Sequence, residues 1–372
     1  MPTKNSLRDR WLGFRNRLLM DPRFQRFAAR FPFTRPITRQ RTRELFDIAA
    51  GFVYSQVLHA CVSLGVLDVL AAGPKTTAEL GQHCALEPEP LTRLLKAAES
   101  LKLIQRRSDG RYDLGAHGAA LLGNPGIAAM VRHHAMLYED LADPVALLRD
   151  RGGSALSRYW AYAATDQPAQ LAADRVREYS DLMAQSQALV ASDILDAYPM
   201  QRHQRLLDLA GGEGVFLTHA AQRWPHLQVT LFDLPPVADL ARQRFEAGGL
   251  HDRAMAIGGD LLAEPDLAGF DLVSLVRVIH DHDDAEALRI LKAARRALAP
   301  GGRLILAEPM AGTPGGEAMG DAYFGFYLWA MGSGRARRVD ELQGLLERAG
   351  FSRSREVSTC RPLLVRVLVV DI

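Results

Sequence analysis

Residues 206–217 read Leu-Leu-Asp-Leu-Ala-Gly-Gly-Glu-Gly-Val-Phe-Leu, and this stretch decides the fold class. A short β-rich run containing Asp208 is followed by the glycines Gly211, Gly212 and Gly214. Glycines at the carboxyl end of a strand let the backbone approach a ligand closely, and the following helix offers free N–H groups. The loop alone is equally consistent with a dinucleotide site or a purely structural turn, so its context must decide.

The surrounding chain alternates short β-rich runs with amphipathic stretches. These runs are Leu206–Leu209, Val229–Phe232, Ala254–Ile257, Leu272–Val276, Leu304–Ala307 and a closing pair near Arg355–Val357 and Leu364–Val370. Alternation of this kind predicts an α/β fold, a Rossmann-like sheet that is mostly parallel with an antiparallel end. We expect this domain to span residues 201–372.

Two further aspartates follow the second and third strands of this series. Asp233 comes 25 residues after Asp208, where a carboxylate can accept hydrogen bonds from both ribose hydroxyls of an adenosyl group. The carboxylate of Asp260 is suited to accept a hydrogen bond from the adenine amino group. Each aspartate alone is more often a helix cap or a turn residue. Together, the three aspartates at successive strand ends on one sheet edge favour adenosyl binding. NAD is disfavoured because the loop lacks the GxGxxG spacing.

Residues 44–125 predict a second, α-helical domain. An apolar helical stretch runs from Arg43 to about Ala72, and a short helix near Thr76, a second helix from Pro90 and a hairpin around Ser108–Gly110 follow. Helix, turn, helix and hairpin together predict a winged helix. The first stretch is too apolar for an exposed helix, so we expect it to be buried between two subunits of a homodimer.

A winged helix raises the alternative of a DNA-binding regulator. The predicted second helix offers only Arg93, Lys96 and Lys102 to a major groove, and three glutamates lie close by. This nearly neutral surface argues against a nucleic-acid partner.

The first 43 residues form a basic aromatic arm, with 12 Lys/Arg and 2 Asp/Glu, although the whole chain has a net charge of only +2. Six aromatic residues are interleaved among the arginines, a mixture that suits a lipid headgroup layer or an acidic partner. The alternative is that the aromatics pack on their own domain or on a dimer mate.

Neither a signal peptide nor an apolar run long enough to span a bilayer is expected. Three scattered cysteines predict neither disulfides nor a metal site and fit a cytoplasmic protein.

Between these domains, residues 126–200 predict helices that link the two domains and roof a pocket. One of these predicted helices is Ala169–Ala197.

From about residue 40 onward the chain resembles the S-adenosylmethionine-dependent O-methyltransferases, the family of the plant caffeate and flavonoid enzymes and bacterial homologues. The stretches that carry the resemblance are Leu207–Gly214, Phe232–Pro235, Gly258–Asp260, Arg277–Asp284 and Pro300–Glu308. The resemblance implies a dimerisation domain, S-adenosylmethionine as cofactor and a small hydroxylated acceptor. The cofactor-binding residues implied are Asp208, Gly211, Gly212, Gly214, Asp233, Leu234, Asp260, Leu261 and Arg277.

The same resemblance implies a catalytic pair. His280 matches the histidine that the family uses as general base on the acceptor hydroxyl, and Glu308 matches a glutamate that orients this histidine. His282 stands where relatives usually have tryptophan and could compete as the base. A second family acid is replaced by Ala336, so one orienting carboxylate must suffice or Asp281 assists.

Further similarity points to bacterial carotenoid methyltransferases that act on hydroxyneurosporene or demethylspheroidene. It rests on the arm, on Arg30–Pro36 and on Phe52–Gln56. We therefore expect methylation of a tertiary hydroxyl of an acyclic carotenoid in carotenoid biosynthesis, with peripheral contact of the arm at the inner membrane surface. Within the enzyme reading, the alternative is a phenolic or quinone-type acceptor. The alternatives of other classes are a DNA-binding regulator and a catalytically silent family member. The intact His280 and Glu308 argue against the silent member.

Overall fold

The computed structural model describes residues 7–151, 153–159, 173–263 and 265–372, with the backbone alone for residues 173–182. The chain divides into two compact units, residues 1–119 and 120–372. The division falls within one helix, six residues before the predicted boundary after residue 125.

The first unit is helical and carries one hairpin. Its elements are α1 (Leu7–Met20), α2 (Pro22–Arg30), α3 (Arg35–Ser63), α4 (Val66–Ala71), α5 (Thr77–Cys84), α6 (Pro88–Ser100), β1 (Ile104–Arg106), β2 (Tyr112–Leu114) and α7 (Ala116–Leu122). Thr76 and Glu79 form a capping box that begins α5. β1 and β2 pair antiparallel around a turn at Gly110, whose φ of +85° favours glycine. The predicted succession of helix, helix and hairpin is therefore present.

Helix α3 is longer than the sequence predicted. It begins at Arg35, so the boundary expected after residue 43 falls inside one continuous helix. Within this helix only Cys61 and Val62 are buried, and its apolar side chains are largely exposed in the isolated chain, for example Ile48 at 79% and Phe52 at 73%. An 18-residue window of α3 has a mean hydropathy of 1.4, so by length and composition alone this helix could cross a bilayer, a test that the core helix of a soluble protein also passes.

The second unit begins with helices and continues as an α/β sheet. Its elements are α8 (Pro125–Asp140), α9 (Pro144–Arg149), α10 (Ala155–Tyr159), α11 (Ala173–Ala197), β3 (Arg205–Leu209), α12 (Val215–Arg223), β4 (Gln228–Asp233), α13 (Pro235–Ala247), β5 (Ala254–Gly258), β6 (Phe270–Val276), α14 (Asp284–Ala297), β7 (Leu298–Glu308), α15 (Gly325–Met331), α16 (Val339–Arg348), β8 (Arg353–Val357) and β9 (Arg366–Asp371). A π-helix at Met319–Phe324 leads into α15. The first four residues of the predicted helix at 169–197 lie outside the described residues.

The sheet confirms the predicted fold class. Its strand order is β5-β4-β3-β6-β7-β9-β8, in which β3 to β7 are parallel and β9 and β8 form the antiparallel end. One face packs on α11, α12 and α13 through residues such as Phe216 and Phe245, and the other packs on α14 and α16 through Ile290 and Leu345. Because both faces are covered, the strands are nearly continuous apolar runs, and the polar groups concentrate where the parallel strands end.

Candidate active site

The glycine loop after β3 is a tight turn in which two of the glycines leave no room for a Cβ. Ala210, Gly212 and Gly214 have φ of +52°, +60° and +75°, a conformation in which glycine costs least. A Cβ on Gly211 would lie 2.5 Å from Oδ2 of Asp208, and one on Gly214 would lie 2.7 Å from the ring of Phe245. The backbone therefore approaches its surroundings more closely than any side chain would permit.

Asp233 and Asp260 lie on the rim of this loop, at the ends of β4 and β5. Asp233 accepts hydrogen bonds from the backbone N–H of Gly212 and of Leu234, both at 2.7 Å. Burial raises the pKa of Asp233 to about 6, against these two hydrogen bonds, which lower it. Asp260 accepts a hydrogen bond from the N–H of Leu262 at 2.8 Å and so begins a short 3₁₀ turn.

Asp208 occupies a different place, beneath the loop. Its Oδ1 accepts a hydrogen bond from Ser274 Oγ at 2.6 Å, while Oδ2 receives none from the residues that the structure describes. Burial raises the pKa of this carboxyl to about 7. Ser274, which lies in the middle of β6, was not anticipated from the sequence.

A cavity of about 800 Å³, the central cavity, opens along the carboxyl edge of the sheet. Seven of the predicted cofactor residues line it, namely Gly211, Gly212, Asp233, Leu234, Asp260, Leu261 and Arg277. Asp208 and Gly214 lie behind this wall, where they shape the loop. The α11 residues Met183 and Gln187 also line the cavity, so α11 borders the site for which a helical roof was expected.

Arg277 joins α11 to the sheet. It follows β6 with φ of +59°, and its guanidinium donates to Ser186 Oγ of α11 at 2.7 Å. Its Nη2 also lies 3.5 Å from Met183 Sδ. The sequence offered no signal for these partners, because α11 lies about 90 residues away along the chain.

His280 and Glu308 form a buried pair at the ends of β6 and β7. Nδ1 of His280 lies 2.6 Å from Glu308 Oε2, and Glu308 Oε1 accepts the backbone N–H groups of Val278 at 3.0 Å and Ile279 at 2.7 Å. The carboxylate thus binds the backbone of the His280 loop (residues 277–284) and orients the imidazole. Burial alone would lower the pKa of His280, but the charges of Asp281 and Glu308 reverse this and raise it above the ordinary value.

The neighbours of His280 differ sharply in their contacts. Asp281 places Oδ1 3.0 Å from Nε2 of His280, so a carboxylate lies at each nitrogen of the imidazole. His282 instead faces the central cavity and pairs through Nδ1 with Glu286 Oε2 at 3.1 Å. The two candidate bases are therefore paired with different carboxylates: His280 with Glu308 and Asp281, and His282 with Glu286.

A cluster of histidine and tyrosine side chains joins α8 to the π-helix and α15 beside His280, and sequence reasoning missed it. His133 Nε2 lies 2.9 Å from Tyr327 OH, and His134 Nε2 lies 2.8 Å from Tyr323 OH. Phe324 presents its edge to His280 with ring centroids 6.0 Å apart. Burial lowers the pKa of His133 to about 4 and raises the pKa of Tyr323 to about 12. These two members of the His–Tyr cluster are therefore uncharged near neutral pH.

The role of Arg337 was likewise not anticipated from the sequence; this residue is 1% exposed and binds the backbone of the His280 loop. It donates to the carbonyls of Ile279 and His282, both at 2.7 Å, and pairs with Asp284. Its neighbour Gly334 approaches so closely that a Cβ there would lie 2.1 Å from the carbonyl oxygen of His280.

Sequence profiles of known families match both units of this chain. The O-methyltransferase domain matches residues 138–352, and the O-methyltransferase dimerisation domain matches residues 46–124. The chain therefore belongs to the S-adenosylmethionine-dependent O-methyltransferases, as the resemblance of its motifs implied.

Individual relatives are similar over nearly the whole chain. Demethylspheroidene O-methyltransferase of Cereibacter sphaeroides is 43% identical over 93% of this chain and 91% of its own length, and that of Rhodobacter capsulatus is 39% identical over 97% and 90%. Among solved structures, CalO1, a methyltransferase of calicheamicin biosynthesis in its SAH-bound form, superposes with a TM-score of 0.74 at 27% identity, covering 90% of this chain and 98% of that one.

Proposed function

We propose that this enzyme methylates a hydroxyl group of an acyclic carotenoid of the demethylspheroidene type, in carotenoid biosynthesis. The observation that carries this acceptor is the similarity to two demethylspheroidene O-methyltransferases, which extends into the N-terminal arm. Relatives named for aromatic acceptors, such as 3-amino-4-hydroxybenzoate or phenazine enzymes, are 29% and 27% identical. A phenolic or quinone-type acceptor is therefore the weaker alternative.

The central cavity suits the adenosyl cofactor. Gly211 and Gly212 leave the space that a ligand's polar tail needs, Asp233 offers carboxylate oxygens to ribose hydroxyls, and Asp260 with Leu261 faces the adenine position. When bound there, S-adenosylmethionine supplies an electrophilic methyl group on a positively charged sulfur. We assign Asp208 and Gly214 to the support of this loop, and Arg277 to its junction with α11.

The general base in this proposal is Nε2 of His280. A carboxylate accepts hydrogen bonds, so Glu308 fixes the proton of the neutral imidazole on Nδ1 and leaves the lone pair on Nε2. That nitrogen takes the proton of the acceptor hydroxyl as its oxygen bonds to the methyl carbon. Glu308 then stabilises the imidazolium. A tertiary alcohol is a weak acid, which makes a well-oriented base more important than it is for a phenol.

The His–Tyr cluster supports an apolar acceptor. It lies against His280 through Phe324, and its two histidines are bound to tyrosine hydroxyls. Beside it, α8, α10 and α15 bury a shared cluster of apolar side chains. Apolar surroundings beside His280 would favour a hydrocarbon chain over an ionised metabolite, because they would not repay the desolvation of a charge.

In this proposal residues 44–125 form a winged helix that pairs two subunits rather than binding DNA. The exposed apolar face of α3 falls largely within the matched dimerisation domain, which gives that face a partner. On α6, Arg93 is already paired with Glu89 at 2.8 Å, which leaves little positive charge for a phosphate backbone.

The arm completes the proposal as a peripheral membrane contact of a cytoplasmic enzyme. Every described residue of α1 is at least partly exposed, and Trp11, Phe14 and Phe27 are each more than half exposed among arginines. Such a surface suits anionic headgroups, the layer from which a membrane-dissolved carotenoid must be taken.

The decisive experiment incubates the purified enzyme with methyl-labelled cofactor and an extract of hydroxylated acyclic carotenoids. We expect a labelled product whose mass is that of the methyl ether, formed by the native enzyme and lost in His280→Ala. Labelling of a phenolic or quinone acceptor but of no carotenoid would overturn the proposed acceptor while leaving the reaction class intact.

A further inference from the structure

The imidazole of His280 is bound on both sides in this structure, although the proposed reaction needs one nitrogen free. Nδ1 is held by Glu308 at 2.6 Å, and Nε2 faces Oδ1 of Asp281 at 3.0 Å. The basic nitrogen is therefore already occupied before any acceptor arrives.

Asp281 also differs from His280 in its access to solvent. It lies on the wall of the central cavity, whereas His280 is 7% exposed and lies behind that wall. Asp281 is thus the carboxylate that touches both the imidazole and the cavity.

We propose that Asp281 binds Nε2 of His280 until the acceptor hydroxyl displaces it, and afterwards takes the proton that His280 has received. This inference rests on the proposed role of His280 as base. In it Asp281 is a positioning residue and a proton relay.

The proton balance of the cycle is complete. The acceptor oxygen gains a methyl group and loses its proton to Nε2, and the electron pair of the broken carbon–sulfur bond stays on the donor sulfur. The imidazolium then carries a proton on each nitrogen. This Nε2–H donates to Oδ1 of Asp281, the contact seen in the structure, so the resting pair is an imidazolium beside a carboxylate. Before the next acceptor reacts, the Nε2 proton passes to Oδ1 of Asp281 and from there to water in the cavity, which leaves a neutral imidazole with its lone pair on Nε2. Burial raises the pKa of Asp281, which suits a carboxyl that must accept this proton.

The charged and titratable groups that act on this pair come from three elements. They are Glu308 of β7, Arg277 and His282 of the His280 loop, and Tyr327 of α15. Glu308 and Asp281 favour the imidazolium, and Arg277 opposes it. Removing the charge of Asp281 alone must therefore make His280 easier to deprotonate.

The test uses Asp281→Asn, which keeps the size of the side chain but removes its charge and its ability to take a proton. Asp283→Asn is the matched control, since Asp283 lies on the same loop and binds Arg151 and the N–H of Gly334 instead of the imidazole. Histidine-ring NMR on the full-length enzyme bound to S-adenosylhomocysteine follows the titration of His280, identified by its missing signal in His280→Asn. This measurement needs no acceptor, so it stands apart from the acceptor assignment.

We expect the His280 titration midpoint to move to lower pH in Asp281→Asn and to stay in place in Asp283→Asn. In turnover, the ratio of kcat/KM at pH 8 to that at pH 6 should fall at least about threefold in Asp281→Asn, which corresponds to about half a pH unit. Slow proton release should also produce a burst of one product per subunit before a slower steady state. An unchanged midpoint, or a steady state without a burst, would overturn the proposal.

Discussion

Replacement of Glu308 by glutamine tests the proposed base through its tautomer. The carboxylate accepts three hydrogen bonds, two backbone N–H groups on Oε1 and the imidazole on Oε2. Glutamine has the same shape, but one of its two terminal groups can only donate. It must therefore place its NH₂ against either the imidazole or the backbone pair.

The energy difference between the two orientations of the glutamine amide sets the expected loss of kcat/KM. If the NH₂ faced the backbone, the N–H groups of Val278 and Ile279 would be buried without acceptors, at a cost of about 1–3 kcal/mol each. The opposite orientation is thus favoured by about 2–6 kcal/mol, and it donates to Nδ1 and so moves the imidazole proton to Nε2. Because 1.4 kcal/mol is a factor of ten, kcat/KM of Glu308→Gln should fall by about 30-fold to about 10⁴-fold. Loss of the base itself in His280→Ala typically costs about 10²–10⁴-fold.

The assay measures transfer of labelled methyl to the carotenoid acceptor, with calorimetry of S-adenosylhomocysteine binding as the check on folding. Glu286→Gln is the matched control, because Glu286 pairs with the other histidine of the site, His282. A double variant, Glu308→Gln with His280→Ala, should be about as slow as the slower single variant, since both residues act as one unit. If Glu308→Gln keeps nearly native kcat/KM while Glu286→Gln is inactive, the base is His282 and the reasoning is wrong.

Four further outcomes follow from the geometry. Because the neighbouring carboxylates raise the pKa of His280, kcat/KM should be lost as the pH falls, with a midpoint above the ordinary histidine value of 6.5 in a pH-rate profile. Gly211→Ala places a methyl group 2.5 Å from a buried carboxylate oxygen, so calorimetry should show S-adenosylhomocysteine affinity reduced at least about tenfold, which is 1.4 kcal/mol. Ile48→Glu with Phe52→Glu puts charge on the exposed face of α3 and should convert a dimer to a monomer in sedimentation; a dimer that persists would place the interface elsewhere. Deletion of residues 1–34 should abolish binding to anionic vesicles and leave cofactor affinity intact, and vesicle binding that survives the deletion would refute the membrane role of the arm.

The parts of the site that the sequence predicted are those where the backbone itself demands a residue type. Gly212 and Gly214 are left-handed, and a Cβ on Gly211 or Gly214 would clash, so the backbone itself favours glycine at these positions. The ends of parallel strands meet at one edge, so Asp233 and Asp260 could be placed together. Asp208 marks the limit of this reasoning, because position in the chain did not reveal that its carboxylate turns beneath the loop toward Ser274.

The parts that could not be predicted depend on contacts between distant segments. The His–Tyr cluster joins α8 to a π-helix about 190 residues later, and neither histidine has a local pattern that names its partner. Likewise, α3 begins at Arg35 instead of near residue 43, because its charged first turns lie exposed in the helix and periodicity was read only from its apolar part.

The family resemblance implies a second acid where this chain has Ala336, and the His280 loop shows how the chain is held in that region. In this chain the loop is held through its backbone: Arg337 binds the carbonyls of Ile279 and His282, and Ser333 Oγ donates to the carbonyl of Asp281 at 2.8 Å. These bonds fix the backbone of the loop without placing a further carboxylate beside the imidazole. The two carboxylates that reach His280 come instead from Glu308 at Nδ1 and from Asp281 at Nε2. Both carboxylates therefore come from β7 and from the loop itself, so the pairing seen at His280 needs no side chain from position 336.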